Sequence, residues 1–448
     1  MRAKRSAGTP TLQGPSRRLP VLLPTAYSLN PYSLLATAFP PGLPREPSSC
    51  TIRVMLAVAL ALSIAVPAAD YGFDGPEIYK VGPAVRRLEI ADFDGDGRLD
   101  MAVVNNPRAS IDVYYQRSPE EEKRARDEVH ITDDDVNKLP VNPRFEKKPM
   151  LTEKRVFSIA VADFDGDGKA DLAYYGHPMA LTIAYQGEGR TWPRKKAFPI
   201  TDGAQQAYSL VAGDIDGDSR TDIVLLARND TYLFIQNPDG TMGQPAKIPN
   251  SFAAAVGMMI GDVNNDKRND LIYVLSDDER SVRLRLQRPN GKLGPEVAHK
   301  VQPIRSLEIG DCTGDGKMEL CAIMQSSGRL RLLKLDGAKR AAGRTLEQIQ
   351  IYPLPSSPRP KDRRFGAGDI DGDGRSDIVV SDPSAASLIV YRQQEAGGFG
   401  NAEVYPSILD GRSLCVADFD GDGRCDIGIV SPSEEVVAVS KQTKNGRL

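Results

Sequence analysis

The sequence predicts an all-β protein: a seven-bladed β-propeller of four-stranded antiparallel blades. The ring is expected to be closed by the N-terminal strand completing the C-terminal blade. Three observations carry this reading. One nine-residue loop recurs seven times at near-constant spacing, short apolar runs flank every copy, and the two ends of the chain supply the missing parts of one repeat.

The loop copies are DFDGDGRLD (Asp92–Asp100), DFDGDGKAD (Asp163–Asp171), DIDGDSRTD (Asp214–Asp222) and DVNNDKRND (Asp262–Asp270). DCTGDGKME (Asp311–Glu319), DIDGDGRSD (Asp369–Asp377) and DFDGDGRCD (Asp418–Asp426) follow. The start-to-start steps are 71, 51, 48, 49, 58 and 49 residues. The runs beside them, such as LEIA and MAVV around the first loop, are too short for helices and read as buried strands. Farther along each unit come further strands and hairpin turns, PDGT in Thr231–Pro249 and PNGK in Ser281–Val301. Four strands per unit and seven units give the propeller.

Closure is legible at the ends. GFDGPEIY (72–79) matches GFGNAEVY (398–405), which is the outer strand of the sixth unit, yet no unit precedes it. The seventh unit stops after VVAVS and a KNGR turn, where that strand is due. The long first step has a local source. Residues 117–143 form a charged insertion, including SPEEEKRARDEV (Ser118–Val129), that extends a hairpin and suits a short helix.

The loop residues point to a hard cation. Carboxylates at positions 1, 3, 5 and 9 and the backbone carbonyl of position 7 can converge on one ion, and calcium accepts six to eight such oxygens. The predicted ligand sets are Asp92, Asp94, Asp96, Arg98 and Asp100; Asp163, Asp165, Asp167, Lys169 and Asp171; Asp214, Asp216, Asp218, Arg220 and Asp222. Next are Asp262, Asn264, Asp266, Arg268 and Asp270, then Asp311, Thr313, Asp315, Lys317 and Glu319. The last two are Asp369, Asp371, Asp373, Arg375 and Asp377, and Asp418, Asp420, Asp422, Arg424 and Asp426. Arg98, Lys169, Arg220, Arg268, Lys317, Arg375 and Arg424 enter through the carbonyl only. Up to seven Ca2+ are expected. The sites at 262–270 and 311–319 should be weaker, because Asn264 and Thr313 each remove a charge. An EF-hand is excluded. It needs a bidentate Glu at position 12, which here is Val103, Tyr174, Leu225, Tyr273, Ala322, Val380 or Ile429.

The motif D-x-[DN]-G-D-G-[KR]-x-D, nearly intact in five copies, and the Gly398–Gly400 strand resemble the FG-GAP/VCBS repeat family. These are the calcium-loop propellers of integrin α subunits and of many secreted bacterial proteins. The resemblance spans roughly residues 72–448. It implies the propeller and its calcium loops, and a role in adhesion, glycan binding or scaffolding, without fixing a ligand.

Before the repeats, residues 1–54 hold seven Arg/Lys, one acid and nine prolines, a composition that does not fold. Residues 55–68 read as a signal peptide, an uncharged apolar run after Arg53 ending in small residues and too short to span a bilayer. Translation from Met55 with export is expected, making 1–54 a gene-model extension and 69–448 the mature propeller. An organelle transit segment is the rival reading of 1–54. A secreted or extracytoplasmic, monomeric protein without a stable membrane span follows.

The links between units hold Arg86, Arg87, Lys154, Arg155, Lys300, Arg305, Arg359, Lys361, Arg363, Arg364 and Arg412 against Glu153, Asp202, Asp362 and Asp410. They predict a basic face for an anionic glycan or an acidic extracellular protein, with solvated side chains as the plainer reading. Nucleic acid is not expected, since no basic segment is interleaved with aromatics. Cys312/Cys321 and Cys415/Cys425 flank the fifth and seventh loops, and whether they form disulfides is left open. No catalytic residue is assigned. Three histidines and no nucleophile elbow, zinc motif or phosphate loop favour a binding module. The alternative is a calcium-dependent polysaccharide lyase or hydrolase working in the central cleft.

Overall fold

The computed structural model describes residues 72–443, apart from 83–84, 86, 129–142, 154, 254, 277–278, 336–345, 356 and 360–361. The leader, residues 1–54, Cys50, Arg86, Lys154 and Lys361 lie outside the described residues.

Seven four-stranded antiparallel sheets form the molecule. From inner to outer strand, blade 1 is Leu88–Ala91, Asp100–Asn105, Ser110–Gln116 and Phe145–Leu151; blade 2 is Val156–Ala162, Asp171–Gly176, Ala180–Tyr185 and Arg194–Pro199. Blade 3 is Leu210–Gly213, Asp222–Leu226, Asp230–Phe234 and Ala246–Pro249; blade 4 is Gly257–Gly261, Asp270–Val274, Val282–Arg285 and Val297–His299. Blade 5 is Ile304–Gly310, Glu319–Met324, Leu330–Leu335 and Leu346–Tyr352; blade 6 is Arg364–Gly368, Asp377–Asp382, Ser387–Tyr391 and Glu403–Pro406. Blade 7 takes Ser413–Ala417, Asp426–Ser431 and Val436–Thr443 from the C-terminus and Gly72–Lys80 from the N-terminus.

Every second strand begins on position 9 of a loop, and nearly every residue of these strands is buried. A strand covered on both faces reads as a continuous apolar run rather than an alternating one, which is why MAVV and LIYVL carry no period of two. The two faces pack against the two neighbouring blades. Seven apolar clusters result among the described residues, one at each blade boundary. The cluster between blades 7 and 1 joins Cys415, Val430 and Val437 to Leu88, Met101 and Tyr114.

The closing strand is bound on both sides of its sheet. It pairs antiparallel with Val436–Thr443, Tyr79 opposite Val437 and Phe73 opposite Gln442. Phe73 fills the core between blades 6 and 7, while Tyr79, Val81 and Val85 fill the one between blades 7 and 1. Tyr79 meets Phe145 edge-on at 5.1 Å. The insertion carries the expected helix, Pro119–Asp127, started by a reciprocal cap between Ser118 and Glu121. No helix among the described residues is long and apolar enough to cross a membrane.

Candidate metal centres

Each loop is wound by its own first residue. The Asp92 carboxylate accepts the backbone N–H groups of Gly95, Asp96 and Gly97 at 2.7–3.1 Å, and Asp214, Asp311, Asp369 and Asp418 do the same in their loops. This winding requires left-handed backbone at positions 4 and 6, φ +76° and +84° at Gly95 and Gly97. Ser219 (φ 67°), Asn265 (φ 60°) and Lys267 (φ 64°) adopt it without being glycine, so the third and fourth loops keep the same path at some local strain.

The ninth residue is the anchor. Asp100, Asp171, Asp222, Asp270, Asp377 and Asp426 are fully buried. One oxygen of each accepts the position-2 amide at 2.9–3.3 Å. The other accepts, at 2.7–2.9 Å, the main-chain N–H of a glutamine at the end of the third strand: Gln116, Gln186, Gln236, Gln287, Gln393 or Gln442. These glutamines escaped the sequence reading. Their signal was there, a Gln 14 to 17 residues after position 9 in six of seven units.

Position 7 does more than offer a carbonyl. Arg98, Arg220, Arg268, Arg375 and Arg424 fold their guanidinium groups back onto the position-5 carboxylates Asp96, Asp218, Asp266, Asp373 and Asp422. Four of them also reach a glutamine carbonyl of the third strand at 3.0–3.4 Å. The basic residue thus struts the loop against its own blade.

What remains faces inward. Carboxylate oxygens of Asp92, Asp94 and Asp96 lie within 4.8 Å of one another, and so do those of Asp163, Asp165 and Asp167, and of Asp214, Asp216 and Asp218. Asp369, Asp371 and Asp377 converge likewise, as do Asp418, Asp420 and Asp426. Asp94 Oδ2 accepts from Arg190 Nε at 2.6 Å, but its Oδ1 is buried with no hydrogen bond, and Asp371 Oδ1 is in the same state. Burial first, then the neighbouring carboxylates, pushes Asp100 up to about 8 and Asp171, Asp222, Asp270, Asp377 and Asp426 up to about 7. Converging carboxylate oxygens, two of them buried without a donor, are what a hard divalent cation would satisfy, so these five loops fit calcium.

In the fourth and fifth loops the third position donates instead. Asn264 Nδ2 reaches Asp270 Oδ2 at 3.1 Å, and Thr313 Oγ1 reaches Glu319 Oε2 at 3.2 Å.

The loops also meet the next blade. The hairpin tips at Gly240, Gly291 and Gly397 press against the position-3 carbonyls of Asp165, Asp216 and Thr313, so close that a Cβ would stand 2.1–2.6 Å from the oxygen. Arg190 plays this part for the first loop, and Arg144 Nη2 donates to the Phe419 carbonyl at 2.7 Å for the seventh. These loops therefore lie at blade boundaries. Beside the first, the insertion helix borders an open groove of about 510 Å³ lined by Asp94, Ser118, Glu121, Lys148 and Arg190.

The FG-GAP-like repeat model matches residues 163–225, 214–273, 311–380 and 369–429, just over half of the chain. The chain belongs to the FG-GAP-like repeat family. This repeat protein is also similar in fold to a lectin of Agrocybe aegerita described as recognising non-reducing terminal N-acetylglucosamine. That likeness has a TM-score of 0.50, 16% identity, and covers 72% of this chain and 80% of the lectin. A Photorhabdus luminescens Tc holotoxin pore matches at TM-score 0.43 and 14% identity, covering 84% of this chain but only 14% of the toxin chain. No curated protein matches the sequence.

Among the described residues of the predicted basic face, several arginines are engaged within the molecule. Arg363 and Arg364 are buried, and Arg363 donates to Asp382 at 2.8 Å. Arg305 and Arg412 lie 3.7 and 4.0 Å from Asp362, Arg412 also 2.7 Å from Asp410, and Lys300 3.7 Å from Glu279. Arg87 pairs with Glu89 at 2.5 Å, donates to the Ala207 carbonyl and stacks 4.4 Å over Tyr208. Because Ala207 belongs to the third blade's link, this buried group ties the link to the inner strand of blade 1. Cys312, Cys321, Cys415 and Cys425 are thiols. Cys312 and Cys321 share the core between blades 5 and 6, whereas Cys415 and Cys425 pack in different cores.

Proposed function

We propose that the protein is an exported calcium-loaded propeller that serves as a non-catalytic ligand-binding module of the adhesion type. The observation that carries the reading is the convergence of three carboxylates in each of five loops at blade boundaries. Calcium held there would be coordinated by positions 1, 3, 5 and 9. It would neutralise the loop charge and fix neighbouring blades in register. Export supplies the calcium concentration that such sites use, and the leader-like run at 55–68 supports export.

In this reading the loop carboxylates are spent on the fold, and the buried Arg87–Glu89 pair on holding a link. What supports a glycan as ligand is the fold shared with the lectin. The engaged link-face arginines favour a neutral glycan, or a protein surface, over an acidic one. The test is binding of the purified protein to immobilised neutral and acidic glycans, with calcium and with chelator. Calcium-dependent capture by neutral glycans supports the reading. Turnover of a polysaccharide would replace it with the lyase or hydrolase alternative.

A further inference from the structure

We propose that the fifth loop carries its own cation: the Lys334 ammonium stands where the other loops take calcium, so blade 5 is fastened without metal. Lys334 Nζ donates to Asp315 Oδ2 at 2.7 Å and to Glu319 Oε1 at 2.9 Å, bridging positions 5 and 9.

The lone pairs of position 9 decide the matter. Asp100 accepts two backbone N–H groups and keeps room for a further ligand. Glu319, whose side chain has 0% exposure, accepts four donors: the amides of Cys312 and Thr313, the Thr313 hydroxyl and Lys334. Three of these crowd onto Oε2, and the oxygen left facing the loop, Oε1, is taken by the Lys334 ammonium, where an ion would have to displace it. Asp311 and Asp315 take loop amides as their counterparts in the other loops do, so the difference lies at positions 3 and 9 and in Lys334. Position 3 brings no carboxylate at all. The donor set that fits calcium elsewhere does not fit it here.

The substitutions form one set. Strand register puts Lys334 just after the partner of position 10, where other blades have Tyr115, Tyr185, Ile235, Leu286, Arg392 and Lys441. Lys441 turns to Glu77, and Arg392 to Glu403, both on outer strands. Arg392 also lies 3.9 Å from Asp371 at position 3, but in blade 5 the residue bridges positions 5 and 9, and there position 9 is the longer Glu and position 3 the neutral Thr. Losing one carboxylate and gaining one ammonium replaces the ion by an internal pair. The fifth loop still meets blade 6, through Gly397 and through Gln393 Nε2, 2.7 Å from the Asp311 carbonyl. The boundary between blades 5 and 6 thus stays locked when calcium is withdrawn.

The proposal rests on the calcium reading of the other loops, and one experiment separates the two. Calcium-loaded crystals of the protein, with ions located by anomalous scattering, should show ions in the first, second, third, sixth and seventh loops and Lys334 in the fifth. An ion about 2.4 Å from Asp315 and Glu319 oxygens, with Lys334 swung away, overturns the proposal. Ions in none of the seven loops overturn the calcium reading, and the proposal with it. In solution, Asp371→Asn should lower the calcium bound per chain by one ion, whereas Asp315→Asn should leave it unchanged. Loss of an ion in Asp315→Asn contradicts the proposal. Lys334→Met combined with Thr313→Asp should add one ion.

Discussion

At the scale of single residues, the position-9 carboxylates set how the loops respond to pH. In the metal-free protein Asp100 holds its proton to about pH 8 and its five counterparts to about 7, whereas the unfolded chain releases them near pH 4. Between those limits the native state binds more protons, so its stability falls as pH rises. Melting in chelator should therefore drop from pH 4 to pH 8. Calcium should reverse the trend over the same range, because ion and proton compete for the same oxygens. A flat profile in chelator would show the carboxylates ionised in the metal-free fold. Tip glycines are the second lever. Gly240→Ala places a methyl 2.1 Å from the Asp165 carbonyl at φ +75° and should cost about 1–3 kcal/mol in urea unfolding. Gly189→Ala has nothing within 4 Å, so it feels only its φ of +67° and should cost less. At this scale the convergence of the loop carboxylates was legible, since four acids in a fixed pattern have few other uses. The glutamines and the Lys334 pair were not, because they act across strands and their meaning depends on register.

The element that matters most is the first strand, Gly72–Lys80. It supplies Phe73 to one blade boundary and Tyr79 to the next, so it fastens the ring twice. Phe73→Ala should cost about 3–5 kcal/mol, the usual loss for a fully buried phenylalanine. Removal of residues 72–80 should expose Val436–Thr443 as an unpaired edge and drive association, readable as a rise in sedimentation coefficient. A monomer with an unchanged melt would mean that closure is dispensable. This strand was legible because its sequence repeats an outer strand of another blade. The helix Pro119–Asp127 was legible from the charged run SPEEEKRARDEV, and its Ser118–Glu121 cap was not read. The basic links read differently in sequence and structure. Counting Arg and Lys ignored their partners Asp382 and Glu89, which lie on strands and not in links.

For the molecule as a whole, seven boundary cores and the acidic loops beside them make stability a property of the ring. A loop that binds calcium only in the folded form would add about 2.7 kcal/mol at a hundredfold excess over its dissociation constant. Several sites together should dominate the melt. The most direct measurement is thermal unfolding of the purified protein in millimolar calcium and in chelator. Alongside it would run a variant with Asp94→Asn, Asp165→Asn, Asp216→Asn, Asp371→Asn and Asp420→Asn. The account predicts a large upward shift with calcium for the natural sequence, and little or none for the variant. Equal melting with and without calcium in the natural sequence would contradict it, leaving the seven loops as hydrogen-bonded turns that hold no ion.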